Sequence, residues 1–149
     1  MAKRIHPRAL HPAADPDRPR RAIPSAEFER WWHTLDLERR TKVDARIKRM
    51  LTGGPTVGRP CADVIHGCTL HKLKEARVDR GIRVLCAFDS NGNLALLLGG
   101  DKTGQWERWY RENVPKAVKL YSDHERRIGK GASCLSQRET GRTSSQRSR

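Results

Sequence analysis

Apolar positions along this chain change their period several times, and each change marks an element. Phe28, Trp31, Trp32 and Leu35 recur at steps of three and four after Ser25, which predicts one face of a helix beginning there. Val43, Ile47, Met50 and Leu51 form a second stripe over 36–51, and Gly53-Gly54-Pro55 stops it. Over 69–78 the pattern alternates as in a strand. Leu70, Lys72, Lys74, Ala76 and Val78 share one side; His71, Leu73, Glu75 and Arg77 share the other. Residues 82–88 and 94–98 are apolar runs of strand length. Asp89-Ser90-Asn91-Gly92 joins them, and Asn-Gly supplies the positive φ angles of a tight hairpin turn. These runs predict a three-stranded antiparallel meander, with the hairpin at its centre and Gly99-Gly100-Asp101-Lys102 at its exit. A lone hairpin is marginal in water, so other elements must cover it. Trp106, Trp109 and Tyr110 then predict a short helix over 105–113. Pro115 fits the first turn of a last helix, with Ala117, Leu120, Tyr121 and His124 on its buried stripe.

The two ends break this pattern. Residues 1–26 hold five of the eight prolines, which block a long helix or a central strand and predict a disordered arm. From residue 126 the composition turns to Ser, Thr, Gly, Gln and Arg, a disordered basic tail. That leaves 27–125 as the folded domain. The ends carry +10 of the formal +14, and the domain is only mildly basic. Such a balance favours nucleic acid or an acidic partner, and equally suits solubilising tails. No stretch approaches the apolar length of a membrane span, and the N-terminus has no secretory pattern, so a cytoplasmic protein is expected. Cys61, His66, Cys68 and His71 lie close together, but their spacing matches no closed metal site. No metal and no cofactor is expected.

The candidate chemistry is basic. Lys72, Lys74, Arg77, Arg83 and Lys102 come from neighbouring strands or their ends, with Tyr110, His71 and His124 as further candidates. Arg46 and Arg49 lie on the basic face of the second helix, which is either plain solvated surface or a grip on phosphates. Gly-Gly-Asp-Lys-Thr is not a phosphate-binding P-loop, because the Gly-x4-Gly-Lys frame is absent. A basic sheet face with a tyrosine suits RNA cleavage by the RNA's own 2′-hydroxyl. That reaction needs a base, an acid and positive charge for the phosphorane oxygens. Basic residues on strands are equally a solvated face.

Order and spacing add more. Leu73-Lys74-Glu75-Ala76-Arg77, Gly81-Ile82-Arg83-Val84-Leu85, Ala87-Phe88-Asp89, the run from Leu97 to Gly104, Trp109-Tyr110, Val114-Pro115-Lys116-Ala117 and Leu120-Tyr121-x-x-His124 together resemble the RelE/HigB toxin family. The branch is the one also labelled phage-derived Gp49-like. Phe28-x-x-Trp31, the second helix and Gly58-Arg59-Pro60 fit as well, so the resemblance covers about 27–125. It implies an α+β fold: two N-terminal helices packed on a small, twisted, mainly antiparallel sheet, with short C-terminal helices. It implies a toxin of a type II toxin–antitoxin system, a metal-independent endoribonuclease that cleaves translated mRNA on the ribosome and is neutralised by a HigA-like helix-turn-helix antitoxin. Carried over, Arg77 and Arg83 would hold the phosphate, Lys74 or Lys102 would act as base or charge stabiliser, and Tyr110 would transfer a proton. Lys72, Arg46 and Arg49 would touch RNA. Lys74 and Glu75 could equally form a structural pair. The family's first strand falls on Arg18–Pro24, a poor strand sequence, so either a lost sheet edge or a differently packed arm is expected there. The alternatives are a ParE-like poison of DNA gyrase and a decayed module that only binds an antitoxin.

Overall fold

The computed structural model describes residues 18–148, with side chains to Gly129. The element order is β1 (Ala22–Pro24), α1 (Ala26–Trp32), α2 (Leu37–Gly53), a 3-10 turn (Gly54–Thr56), β2 (Ala62–Val64), β3 (Lys74–Arg77), β4 (Ile82–Phe88), β5 (Leu94–Asp101) and α3 (Trp106–Ser148). The five strands form one sheet in the order β1-β5-β4-β3-β2. Every pairing is antiparallel except β1 with β5, which is parallel.

Helices cover both faces of the sheet. Ser25 accepts a hydrogen bond from Phe28 N–H and Asp36 one from Arg39 N–H, so α1 and α2 each start on a side-chain cap. These helices press Phe28, Val43, Ile47 and Met50 onto Ala76, Val84, Cys86 and Leu96. Leu73, Leu85, Ala87, Ala95 and Leu97 point the other way and pack against Trp109, Ala117 and Tyr121 of α3. Period-two alternation thus gives the sheet two cores, and β4 is buried along its whole length.

A bulge between Leu85 and Cys86 shifts the β4–β5 register, pairing Leu85 with Leu98 and Cys86 with Leu96. The double glycine of β5 then serves a tryptophan on each face. A Cβ at Gly99 would stand 2.4 Å from the Trp31 ring, and one at Gly100 would stand 2.5 Å from the Trp109 Nε1. The indoles of α1 and α3 reach the backbone only because both residues lack side chains.

Several expectations change. The sheet edge is present: β1 pairs Ile23 with Ala95, and Ser25 N–H donates to Leu96 O at 2.9 Å. Proline at position 24 is tolerated because this is a three-residue edge strand. The folded unit therefore begins before residue 27. Of the expected strand 69–78 only Lys74–Arg77 is formed, and the loop before it contains β2. In the hairpin Gly92 alone takes positive φ, at 83°, while Asn91 does not. The turn is closed by Asp89, whose Oδ1 accepts the N–H groups of Asn91 and Asn93.

The short C-terminal helices are instead one helix that runs through Pro115 to Ser148. An internal proline costs about 3 kcal/mol. Trp109, Ala117, Tyr121 and His124 are all buried and stay in step across it, so the face on the sheet is kept. The helix backbone also continues where composition predicts an unstructured tail. The expected arm before residue 18 and the side chains from 130 onward lie outside the described residues.

Candidate active site

Between the β2–β3 end of the sheet and the start of α3 lies a groove of about 680 Å³. Four cations, Arg59, Arg77, Lys102 and Arg111, line it with one carboxylate, Glu75. Strand geometry sets the floor. Glu75 and Arg77 alternate with Lys74 and Ala76 on β3, and Arg77 pairs in register with Arg83 of β4. Lys102 follows β5, its N–H bound to Gly81 O at 3.0 Å. Tyr110 comes down from the first turns of α3.

Glu75 is the centre of this arrangement and is 7% exposed. Its Oε1 accepts a short hydrogen bond from the Tyr110 hydroxyl and lies 3.5 Å from Arg83 Nε. Its Oε2 lies 4.0 Å from Arg77 Nη1. Burial, and after it the bond to Glu75, pushes the Tyr110 phenol up to about 12. Tyr110 is therefore a donor at neutral pH, and Glu75 is the acceptor.

Arg83 is 4% exposed. Its Nη1 donates to the carbonyls of Asp79 and Ile82, and its Nε has no hydrogen-bond partner among the described residues. A buried guanidinium beside a buried carboxylate offsets the cost of keeping both charged. Arg83 is thus placed to hold Glu75 from behind, whereas Arg77 reaches the groove. Arg59 pairs with Asp63 at 2.6 Å and holds that carboxyl below its ordinary range. Arg77, Lys102 and Arg111 supply the rest of the positive wall.

Of the expected site, Arg77, Lys102 and Tyr110 meet at the groove, with Arg83 beneath them. Lys74 does not. Its Nζ donates to Pro55 O and Val57 O at 2.6 and 2.7 Å, on the face covered by α2. The alternation already separates it from Arg77, since an odd and an even position on one strand cannot share a face. Arg46 and Arg49 lie on α2, which covers that same opposite face. Lys72 lies over the Tyr121 ring, 5.0 Å from its centroid. The Cys-His group is also split: Cys61 is buried in the α1–α2 core, while His66 and Cys68 line the groove. Glu75 was legible in Lys-Glu-x-Arg only as a partner for Lys74. Its signal is that it sits on the same side as Arg77.

Lys74→Met tests the division of faces. It should lower stability by about 1.5–3 kcal/mol, the value of hydrogen bonds from a charged group. The specific activity of the folded fraction should be unchanged. Urea denaturation read beside activity per folded molecule checks both.

The class that this fold and groove define is a small α+β protein with a cationic groove built around a carboxylate–tyrosine pair. The family model described as "Phage derived protein Gp49-like (DUF891)" matches residues 30–122, and the chain belongs to that family. It is 42% identical over 92 residues to a Mycobacterium tuberculosis protein named "Putative toxin HigB3", a match covering 61% of this chain and 81% of that one. It is 33% identical over 107 residues to "Putative toxin HigB2" of the same organism, covering 67% of this chain and 53% of that one. Among solved structures, the archaeal RelE–RelB complex from Pyrococcus horikoshii OT3 aligns with 10% identity and a TM-score of 0.48, over 58% of this chain and 99% of that one.

Proposed function

We propose that this chain is the toxin of a type II toxin–antitoxin pair and a metal-independent endoribonuclease that cuts translated mRNA on the ribosome. The observation that carries the reading is Glu75, held by Tyr110 and Arg83 at the floor of a groove with a cationic wall. The names of its relatives support the toxin setting.

In the reaction the 2′-oxygen of one nucleotide attacks the adjacent phosphorus, and the bond from phosphorus to the 5′-oxygen breaks. Glu75 Oε2 takes the proton of the 2′-hydroxyl, because Oε1 is already engaged by Tyr110. Tyr110 keeps its proton and orients the carboxylate. Arg77 and Arg111 neutralise the phosphorane oxygens, which is the part a metal would otherwise play. Lys102 gives a proton to the departing 5′-oxygen. Products are a 2′,3′-cyclic phosphate and a 5′-hydroxyl. The cognate partner is a HigA-like helix-turn-helix antitoxin, and the site of action is the cytoplasm, where mRNA is translated. The catalytic unit is 27–125 together with β1, and the basic ends add affinity for ribosomal RNA.

Induced expression in a bacterial host, with mRNA 5′ ends mapped over the first minutes, tests this. Growth arrest with new translation-dependent cuts inside reading frames is the expected result. Arrest with intact mRNA would overturn the nuclease and favour a gyrase poison. Soluble protein without arrest would leave an antitoxin-binding module.

A further inference from the structure

α3 opens on an aromatic side chain that neither core uses. Trp106 is 57% exposed, and the one other exposed large hydrophobic among the described residues is Leu37. Leu37 lies on α2 and lines neither the groove nor the hollow beside it. Trp106 lies between two concavities. It lines the groove, and it lines a neighbouring hollow of about 280 Å³ shared with Gly104, Gln105, Glu107, Arg108 and Arg111. Its ring meets Tyr110 edge-on, with centroids 6.4 Å apart and planes at 75°, so the two rings do not stack. Of the two guanidiniums beside it, Arg108 pairs with Glu112 at 3.1 Å. Arg111 has no ion-pair partner among the described residues and borders both concavities.

We propose that Trp106 is a base-stacking platform for a nucleotide that flanks the cleaved phosphate, with Arg111 holding that phosphate. This rests on the RNA-cleaving reading above. A single strand laid in a narrow groove must give up some of its base stacking, and each unstacked base offers a flat face. An exposed indole beside a guanidinium recovers that energy for any base. The cationic wall favours a phosphodiester chain over a protein occupant, which would bring no such repeat of negative charge. Trp106 and Arg111 border both the groove and the hollow, so a base stacked on the indole leaves the line of the backbone while its phosphate stays beside Arg111.

The test uses ribosomes programmed with mRNA that is 2′-O-methylated to block cleavage and carries 2-aminopurine at one decoding-region position at a time. The wild-type chain should quench the probe at one position. Trp106→Ala should lose that quench and bind about 5- to 150-fold more weakly, the range seen when a stacking aromatic is removed. Trp106→Phe should keep most of both. The salt dependence of binding should not change in Trp106→Ala, because no phosphate contact is lost, whereas Arg111→Ala should reduce the salt slope by about one. Trp106→Ala binding and quenching like wild type would overturn the stacking subsite and leave the nuclease reading standing. Wild-type protein that binds no programmed ribosome would overturn both. Unchanged RNA binding with loss of a protein partner would assign Trp106 to that partner instead.

Discussion

Glu75→Gln is expected to lower mRNA cleavage about a hundred- to ten-thousand-fold, the usual contribution of a positioned proton acceptor. Glutamine keeps the shape, and its amide oxygen can still accept from Tyr110 as Glu75 does. What it loses is the negative charge and the ability to take a proton. Glu75→Ala would be a poorer test. Like Glu75→Gln it takes the carboxylate from beside Arg83, 4% exposed, but it also removes the oxygen that accepts from Tyr110, and a buried donor left without an acceptor adds about 1–3 kcal/mol. Activity would then fall through unfolding.

The direction of binding separates a base from a mere groove residue. Removing the one carboxylate among four lining cations makes the groove more positive. Glu75→Gln should therefore bind programmed ribosomes as tightly as wild type or more tightly, above all at low salt. Binding kept and cleavage lost, in single-turnover assays on ribosome–mRNA complexes, is the expected combination. Cleavage at the wild-type rate would exclude Glu75 as base. Tyr110, pushed up to about 12, would be a poor substitute at neutral pH, so Lys102 would be the next group to test.

How far the site could be read from sequence varies residue by residue. The hairpin, both N-terminal helices and the two-sided burial of β4 follow from period and turn residues, because those signals are local. Arg77 and Lys102 also follow, since the meander places their strand ends together. Lys74 shows the limit. Its residue type suits catalysis, yet its register places it under α2, tied to the carbonyls of Pro55 and Val57. Those carbonyls come from a loop whose path no periodicity gives. β1 was hidden for the opposite reason. Arg21, Ala22, Ile23 and Pro24 have little strand character of their own, and the strand exists because β5 offers an edge and Asn93 Oδ1 accepts from Arg21 N–H at 3.0 Å. The continuity of α3 across Pro115 is likewise decided by packing on the sheet rather than by local propensity.

Near the middle of that helix, His124→Ala is expected to destabilise the fold by about 1.5–3 kcal/mol at neutral pH, as losing a hydrogen bond to a buried carboxylate does. His124 Nε2 lies 2.7 Å from Asp89 Oδ2, and both side chains are buried. Asp89 also accepts the N–H groups of Asn91 and Asn93 at 2.9 Å, so one carboxylate closes the β4–β5 turn and docks α3 on it. Burial acts to raise the Asp89 pKa, but the bond from His124 and those backbone N–H groups outweigh it and hold the carboxyl below its ordinary range. A depressed carboxylate contributes its stability above the unfolded value, about 3.9, and loses it as pH falls through the folded value. The gap between wild type and His124→Ala should therefore be widest at neutral pH and shrink below about pH 4. Urea melts at a series of pH values check the sign. A cost under about 1 kcal/mol at neutral pH would mean that the two backbone donors alone satisfy Asp89. The consequence reaches the groove. Glu125 accepts from Ser90 N–H at 2.9 Å in the same clamp, and Tyr110 meets Glu75 near the helix's start. A helix fastened at both places cannot slide on the sheet, and its register is what sets the Tyr110 hydroxyl on the Glu75 carboxylate. His124→Ala should thus lower cleavage per folded molecule as well as stability, whereas Lys74→Met should lower stability alone.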